Sequence, residues 1–90
     1  MRINFEFDPE KSASNKAKHG VNFVEAQTLW LDPQHCEIAL VHAGESRQIV
    51  IGKMQDRIWS AVVTRRAQRL RIISVRRARQ KEIETYEAPR

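Results

Sequence analysis

The sequence predicts an α+β fold, helices packed on a mainly antiparallel sheet in the order β-α-α-β-β-β-β-α. Three observations carry that prediction. Residues 8–33 hold helix start and stop signals, four runs rich in β-branched residues come after them from His35, and a tail of helix-forming composition comes last. Ninety residues suit one domain, 1–90.

INFEF reads as a short strand with Ile3, Phe5 and Phe7 on one side. Asp8-Pro9 is a strong helix start, aspartate as N-cap and proline at the first helical position. That helix runs to Lys18, His19 and Gly20, where cations in the last turn and a glycine stop it. Asn22 and Glu25 form the outline of a capping box for a second helix, with Phe23, Ala26, Gln27 and Trp30 on one face and Asp32-Pro33 closing it. CEIALV, RQIVIGKM, RIWSAVVTR and QRLRIISV are then four strands joined by hairpin-length links (HAGES, QD and RAQ). Both faces are partly apolar, so the sheet is expected to be covered on one side and partly open on the other. RRARQKEIETYE is expected to be the last helix, with Ile83 and Tyr86 on its apolar side.

At 41% hydrophobic the chain can build a core, and its longest apolar runs, IVI and AVV, are far too short to span a bilayer. The opening MRINFEFDPE turns acidic at once and lacks the apolar stretch of a secretory signal. Cys36 is the single cysteine, which excludes an internal disulfide. The expectation is a small cytoplasmic domain with no membrane association.

The net charge of +5 hides an asymmetry. Residues 1–45 hold 4 Lys and Arg against 7 Asp and Glu, whereas residues 46–90 hold 12 against 4, and 10 of those 12 are arginine. Arginine stays charged and grips phosphate with a planar fork. A basic half of this kind points to nucleic acid or an acidic protein segment; a solvated charged face gives the same totals.

In LRIISV, alternation predicts Leu70, Ile72, Ser74 and Arg76 on one face and Arg71, Ile73 and Val75 on the other. Beyond it, Arg76, Arg77 and Arg79 fall at the expected start of the last helix, where the macrodipole disfavours positive charge. Arginines there weaken the free protein and strengthen an anion site built on the free first-turn amides. His19 suits the helix end as a plain cation or can serve as a base. Tyr86 suits the core or a proton-transfer role. His35, Cys36 and His42 lack zinc-site spacing, Ser74 lacks a nucleophile elbow, and no glycine-rich phosphate loop exists. Arginines with hydroxyls and a histidine suit RNA cleavage by the RNA's own 2′-OH, which needs neither metal nor covalent enzyme nucleophile.

Several motifs bear a family likeness. Phe5-x-Phe7-Asp8-Pro9-x-Lys11, Lys18-His19-Gly20-Val21 and Phe23-x-Glu25-Ala26 are three of them. Glu45-x-Arg47 before IVIGK, the segment RLRIISVRRAR and the closing Tyr86-Glu87 complete the set. Together, nearly end to end, they resemble the BrnT family of toxins. The resemblance implies a fold related to the RelE-type ribonucleases and a type II toxin–antitoxin module whose toxin cleaves RNA and stops translation. It implies a BrnA-like antitoxin with a ribbon-helix-helix DNA-binding part, operator DNA being bound only through the toxin–antitoxin complex, and no cofactor. Carried onto this sequence, it points to Arg71, Ser74, Arg76, Arg77, His19 and Tyr86 for catalysis. Lys18, Arg69 and Arg79 are the basic positions expected to hold RNA phosphate, and Lys18 stays open beside His19 and Tyr86 as a candidate for proton transfer. Two positions depart from the pattern: Val63 stands where members often carry tyrosine before Thr64, and Phe7 where they often carry tryptophan. The other reading is a basic module that binds nucleic acid or an acidic partner without cleaving anything.

Overall fold

A computed structural model of the chain describes residues 2–42 and 44–90, without the side chains of Val41 and His42. The zinc-spacing reading at His42 and the expected HAGES link therefore fall partly outside the described residues. The elements are β1 (Asn4–Glu6), α1 (Pro9–His19), a 3-10 helix (Glu25–Leu31), β2 (Cys36–His42), β3 (Glu45–Met54), β4 (Arg57–Arg66), β5 (Arg69–Arg77) and α2 (Gln80–Glu87). One five-stranded sheet has the order β1-β5-β4-β3-β2. Its β2–β5 hairpins are antiparallel, and β1 joins β5 in parallel. The α+β reading and its element order hold.

The caps explain the first half. Glu10 N donates to Asp8 Oδ1 at 2.8 Å, Pro9 opens the helix, and Gly20 ends it at φ 83, a left-handed position suited to glycine. The Asn22–Glu25 box forms reciprocally, with each backbone N–H donating to the other's side chain at 2.9 and 2.8 Å. The box leads into a seven-residue 3-10 turn rather than an α-helix. The segment is too short, at Asn22 to Asp32, to gain much from propagating α-helical bonds.

The core lies between one sheet face and the segment after α1. Val21, Phe23, Ala26 and Leu29 pack there on Val50, Met54, Trp59, Ala61, Val63, Leu70, Ile72 and Val75. Helix α1 buries only Ser12 and Asn15, both polar. It lies along β5 and supplies hydrogen bonds instead of apolar area. Asn15 Oδ1 accepts from Val75 N at 3.1 Å and its Nδ2 donates to Val21 O at 2.7 Å, while Ser12 Oγ accepts from Phe23 N at 2.9 Å. Beyond the three residues that β1 covers, the β5 edge thus finds an acceptor in α1.

Two expectations are corrected. The last helix begins at Gln80, so Arg76 and Arg77 belong to β5, where they pair with Ser60 and Trp59. The charge conflict expected at the start of that helix largely disappears, since its first turn carries Glu82 and Arg79 is the N-cap. Second, the register shifts between Val62 and Val63, and the β5 partners run Thr64–Arg71, Val63–Ile72, Val62–Ser74, Ser60–Arg76. Ile73 is the extra residue of a β-bulge. Because Thr64, Val62 and Ser60 alternate along β4, their partners Arg71, Ser74 and Arg76 share one face, opposite to buried Leu70, Ile72 and Val75. The expected facing, with Ser74 and Arg76 beside Leu70 and Ile72, was wrong by this one residue.

Candidate RNA-binding and catalytic face

The face that carries Arg71, Ser74 and Arg76 is the one only partly covered. Helix α2 lies against β3 and has no buried residue of its own. Along β4 the partners of Arg71 and Arg76 are four residues apart, so the two arginines stand roughly 14 Å apart with Ser74 between them. Each is held by a carboxylate. Arg71 donates to Glu6 Oε2 at 2.9 Å, from the cross-strand position on β1. Arg76 donates from Nη1 and Nη2 to the two oxygens of Glu82 at 2.7 and 2.8 Å.

Glu82 is saturated. Besides Arg76 it receives Arg79 N and Ser60 Oγ at 2.8 and 2.9 Å. The Arg76 hydrogen bonds, aided by the Arg79 amide and Ser60 against the cost of burial, lower its pKa to about 2. The same pair raises Arg76 above its ordinary value. Two of the five guanidinium N–H groups face Glu82 and one more bond, at 3.3 Å, reaches Arg77 O. Arg76 is therefore charged, oriented and still has donors to offer.

Beside Ser74, the end of α1 closes a cavity of about 210 Å³ lined by Lys11, Ser14, Asn15, Lys18, His19, Ile73 and Ser74. Lys18, His19 and Ser74, all expected at a site, are brought together there. Other expected residues are not. Arg77 lies on the core side, its guanidinium 5.9 Å from the Trp59 ring centroid. Arg79 is exposed at the head of α2, and Arg69 lies two residues before Arg71, 3.8 Å from Glu6 Oε1. Tyr86 is bonded elsewhere: its hydroxyl donates to Asp32 Oδ2 at 2.6 Å, and Asp32 also accepts from Lys53 N on β3. By sheet register Lys53 and Ser74 are two strands and four residues apart, roughly 16 Å. Burial first, then the bond to Asp32, push the Tyr86 phenol up to about 12.

Sequence reading missed the supporting residues Glu6, Ser60 and Glu82, as well as Lys11 and Ser14. The last two were visible as a polar stripe, since positions 11, 14, 15 and 18 keep helical spacing and face β5 together. A larger concavity, about 660 Å³, lies elsewhere, lined in part by Glu25, Asp32 and Asp56 with Leu31 and Met54. Its carboxylates would repel a phosphate.

The arginine–serine–arginine row, with a lysine and a histidine alongside, can hold a phosphodiester, neutralise charge on it and move protons near it. A small α+β domain with such a face belongs among proteins that act on nucleic acid. The family model described as the ribonuclease toxin BrnT of type II toxin–antitoxin systems matches residues 7–82. The chain belongs to the BrnT family of ribonuclease toxins, which gives it RNA as substrate and an antitoxin as partner. No match was found among curated proteins. Among the described residues no helix is long and apolar enough to cross a membrane.

Proposed function

We propose that this toxin is a metal-independent endoribonuclease that uses the substrate's own 2′-OH. In that reaction the 2′ oxygen bonds to phosphorus and the bond from phosphorus to the 5′ oxygen breaks. The 2′-OH proton leaves to a base and a proton goes to the departing oxygen. A 2′,3′-cyclic phosphate and a 5′-OH result. Arg71 and Arg76 hold the non-bridging oxygens and stabilise the charge of the transition state. Ser74 hydrogen-bonds the same phosphate. His19 takes the 2′-OH proton, and Lys18 supports the leaving oxygen. Arg79 contacts a flanking phosphate. Tyr86, bonded to Asp32, has no part in proton transfer, and Arg77 serves the fold through Trp59.

The observation that carries this reading is the shared face of Arg71, Ser74 and Arg76 beside the Lys18–His19 cavity. A BrnA-like ribbon-helix-helix antitoxin would neutralise the toxin by laying an acidic segment over that face, and the pair would bind operator DNA through the antitoxin. The test is RNA incubated with the toxin in excess EDTA. Products with 2′,3′-cyclic phosphate ends are expected, and Arg71→Ala or Arg76→Ala should lower the rate by about 10²-fold or more. Cleavage abolished by EDTA, or full activity in a folded Arg76→Ala variant, would refute it.

A further inference from the structure

The basic row does not stop at Arg71. On β4, Arg66 is in phase with Thr64, Val62 and Ser60, and its cross-strand partner is Arg69. Arg66 and Arg69 therefore project from the same face as Arg71, Ser74 and Arg76, at the β4–β5 hairpin. From Ser60 to Arg66 the row spans roughly 20 Å, room for several successive phosphates of one strand. Its two ends differ. The inner arginines are largely buried and clamped, their side chains 29% and 22% exposed for Arg71 and Arg76. The outer ones are loose: the Arg69 side chain is 68% exposed and only 3.8 Å from Glu6, whose other oxygen Arg71 already holds at 2.9 Å. Arg66 is exposed and makes no ion pair among the described residues. Glu6, the carboxylate of β1 nearest Arg69, is committed to Arg71.

We infer that Arg66 and Arg69 form a backbone track for RNA, an exosite that binds phosphates flanking the cleavage point. This rests on the reading that Arg71, Ser74 and Arg76 mark that point. Clamped guanidiniums suit a transition state whose geometry is fixed. Loose ones suit a polyanion held by counterion release, independent of sequence. The track adds affinity and length preference, while the inner residues supply the rate.

The test measures binding of 2′-O-methyl oligonucleotides, which lack the attacking hydroxyl, by fluorescence anisotropy over a range of salt. Arg66→Ala/Arg69→Ala should weaken binding of a long oligonucleotide roughly tenfold and flatten the log–log salt slope by about 1.4, two single-strand contacts' worth. A trinucleotide should bind the variant and the unaltered toxin alike. With cleavable long RNA the loss should fall in KM more than in kcat, whereas Arg76→Ala should lower kcat. Unchanged affinity and slope in a variant with normal circular dichroism would overturn the track. So would a variant that loses affinity for a polyglutamate peptide but keeps it for RNA. Full activity in Arg76→Ala would instead overturn the catalytic assignment, leaving the anisotropy result to stand alone.

Discussion

Glu82 grips Arg76 through both carboxylate oxygens, at 2.7 and 2.8 Å, and does so from the first turn of a helix that buries none of its residues. The pair joins α2 to β5 and orients the guanidinium in one contact. Its folded pKa, about 2, lies below the ordinary carboxylate value, so the carboxylate's contribution to stability is present above about pH 5. It is lost as pH falls toward 2. Allowing for solvent screening, that contribution is on the order of 2 kcal/mol. Urea unfolding of Glu82→Gln should fall short of the unaltered toxin at neutral pH, and the deficit should shrink below about pH 5 and close as pH falls to about 2. A deficit that stays constant with pH would refute the linkage.

Glu82→Gln should also reach catalysis. The amide keeps one acceptor and the shape but loses the charge that holds the guanidinium fork. If Arg76 acts on the transition state, kcat should drop about tenfold with a small change in KM. Glu82→Asp, too short to reach both nitrogens, should not restore it. A variant of normal kcat would show that the clamp serves only the fold.

Asn15 bridges two buried backbone groups, Val75 N and Val21 O, with its side chain at 3.1 and 2.7 Å. Asn15→Ala leaves a donor and an acceptor without partners, at a cost of roughly 2–4 kcal/mol. For a domain of this size the Tm should fall by at least about 10 °C. Asn15→Asp keeps the acceptor for Val75 but not the donor for Val21, and should be destabilised as well. A loss under about 1 kcal/mol in Asn15→Ala would mean that water replaces both bonds.

Most of the fold was legible because strand period, β-branched residues and caps all agreed. The four hairpin strands begin and end within about two residues of the runs that predicted them. Arginine, a good helix former, hid the end of β5: Arg76 and Arg77 are strand residues because Ser60 and Trp59 pair with them, and local composition does not record that. The bulge left no trace in the sequence, because Ile73 is apolar too and Leu70, Ile72 and Ile73, Val75 read as two alternating pairs on opposite faces. The supporting carboxylates were not legible. Glu6 reaches Arg71 across 65 positions of chain and Ser60 reaches Glu82 across 22, so only the folded sheet brings them together.

Tyr86 should behave as a latch. Desolvation and the bond to Asp32 hold its phenol near 12, above its ordinary value. Burial works against Asp32, yet the bonds from Tyr86, Gln34 N and Lys53 N leave its carboxyl below the usual value. Tyr86 thus favours folding below about pH 10, and that contribution disappears as pH rises through 12. Spectrophotometric titration should show no phenolate below about pH 11, and Asp32→Asn should bring ionisation down. Tyr86→Phe and Asp32→Asn should be non-additive in stability, as two ends of one bond are. Additive losses would place Tyr86's contribution elsewhere.

Gly52 is needed for clearance. A Cβ there would meet Leu29 O at 3.1 Å and Leu29 Cδ2 and His35 Cβ at 3.4 Å. Gly52→Ala should push the 3-10 helix off β3 and cost about 1–3 kcal/mol, read from urea unfolding. Because the contact is remote from Ser74, kcat should hold while the variant remains folded.

Ile73 offers a test of the facing itself. It is the one residue of β5 without a cross-strand partner on β4, lying between Ile72, opposite Val63, and Ser74, opposite Val62. Deleting it gives a strand in which simple alternation puts Leu70, Ile72 and Val75 in the core and Arg71, Ser74 and Arg76 outside, as they already are. The deletion should therefore fold, losing only the half-buried isoleucine beside α1, about 1–2 kcal/mol. It should keep measurable RNA cleavage. Inserting one alanine after Ser74 instead turns Val75 outward and Arg76 into the core, and should abolish folding. A folded insertion variant beside an unfolded deletion variant would mean that the bulge, rather than the alternation on either side of it, sets the face.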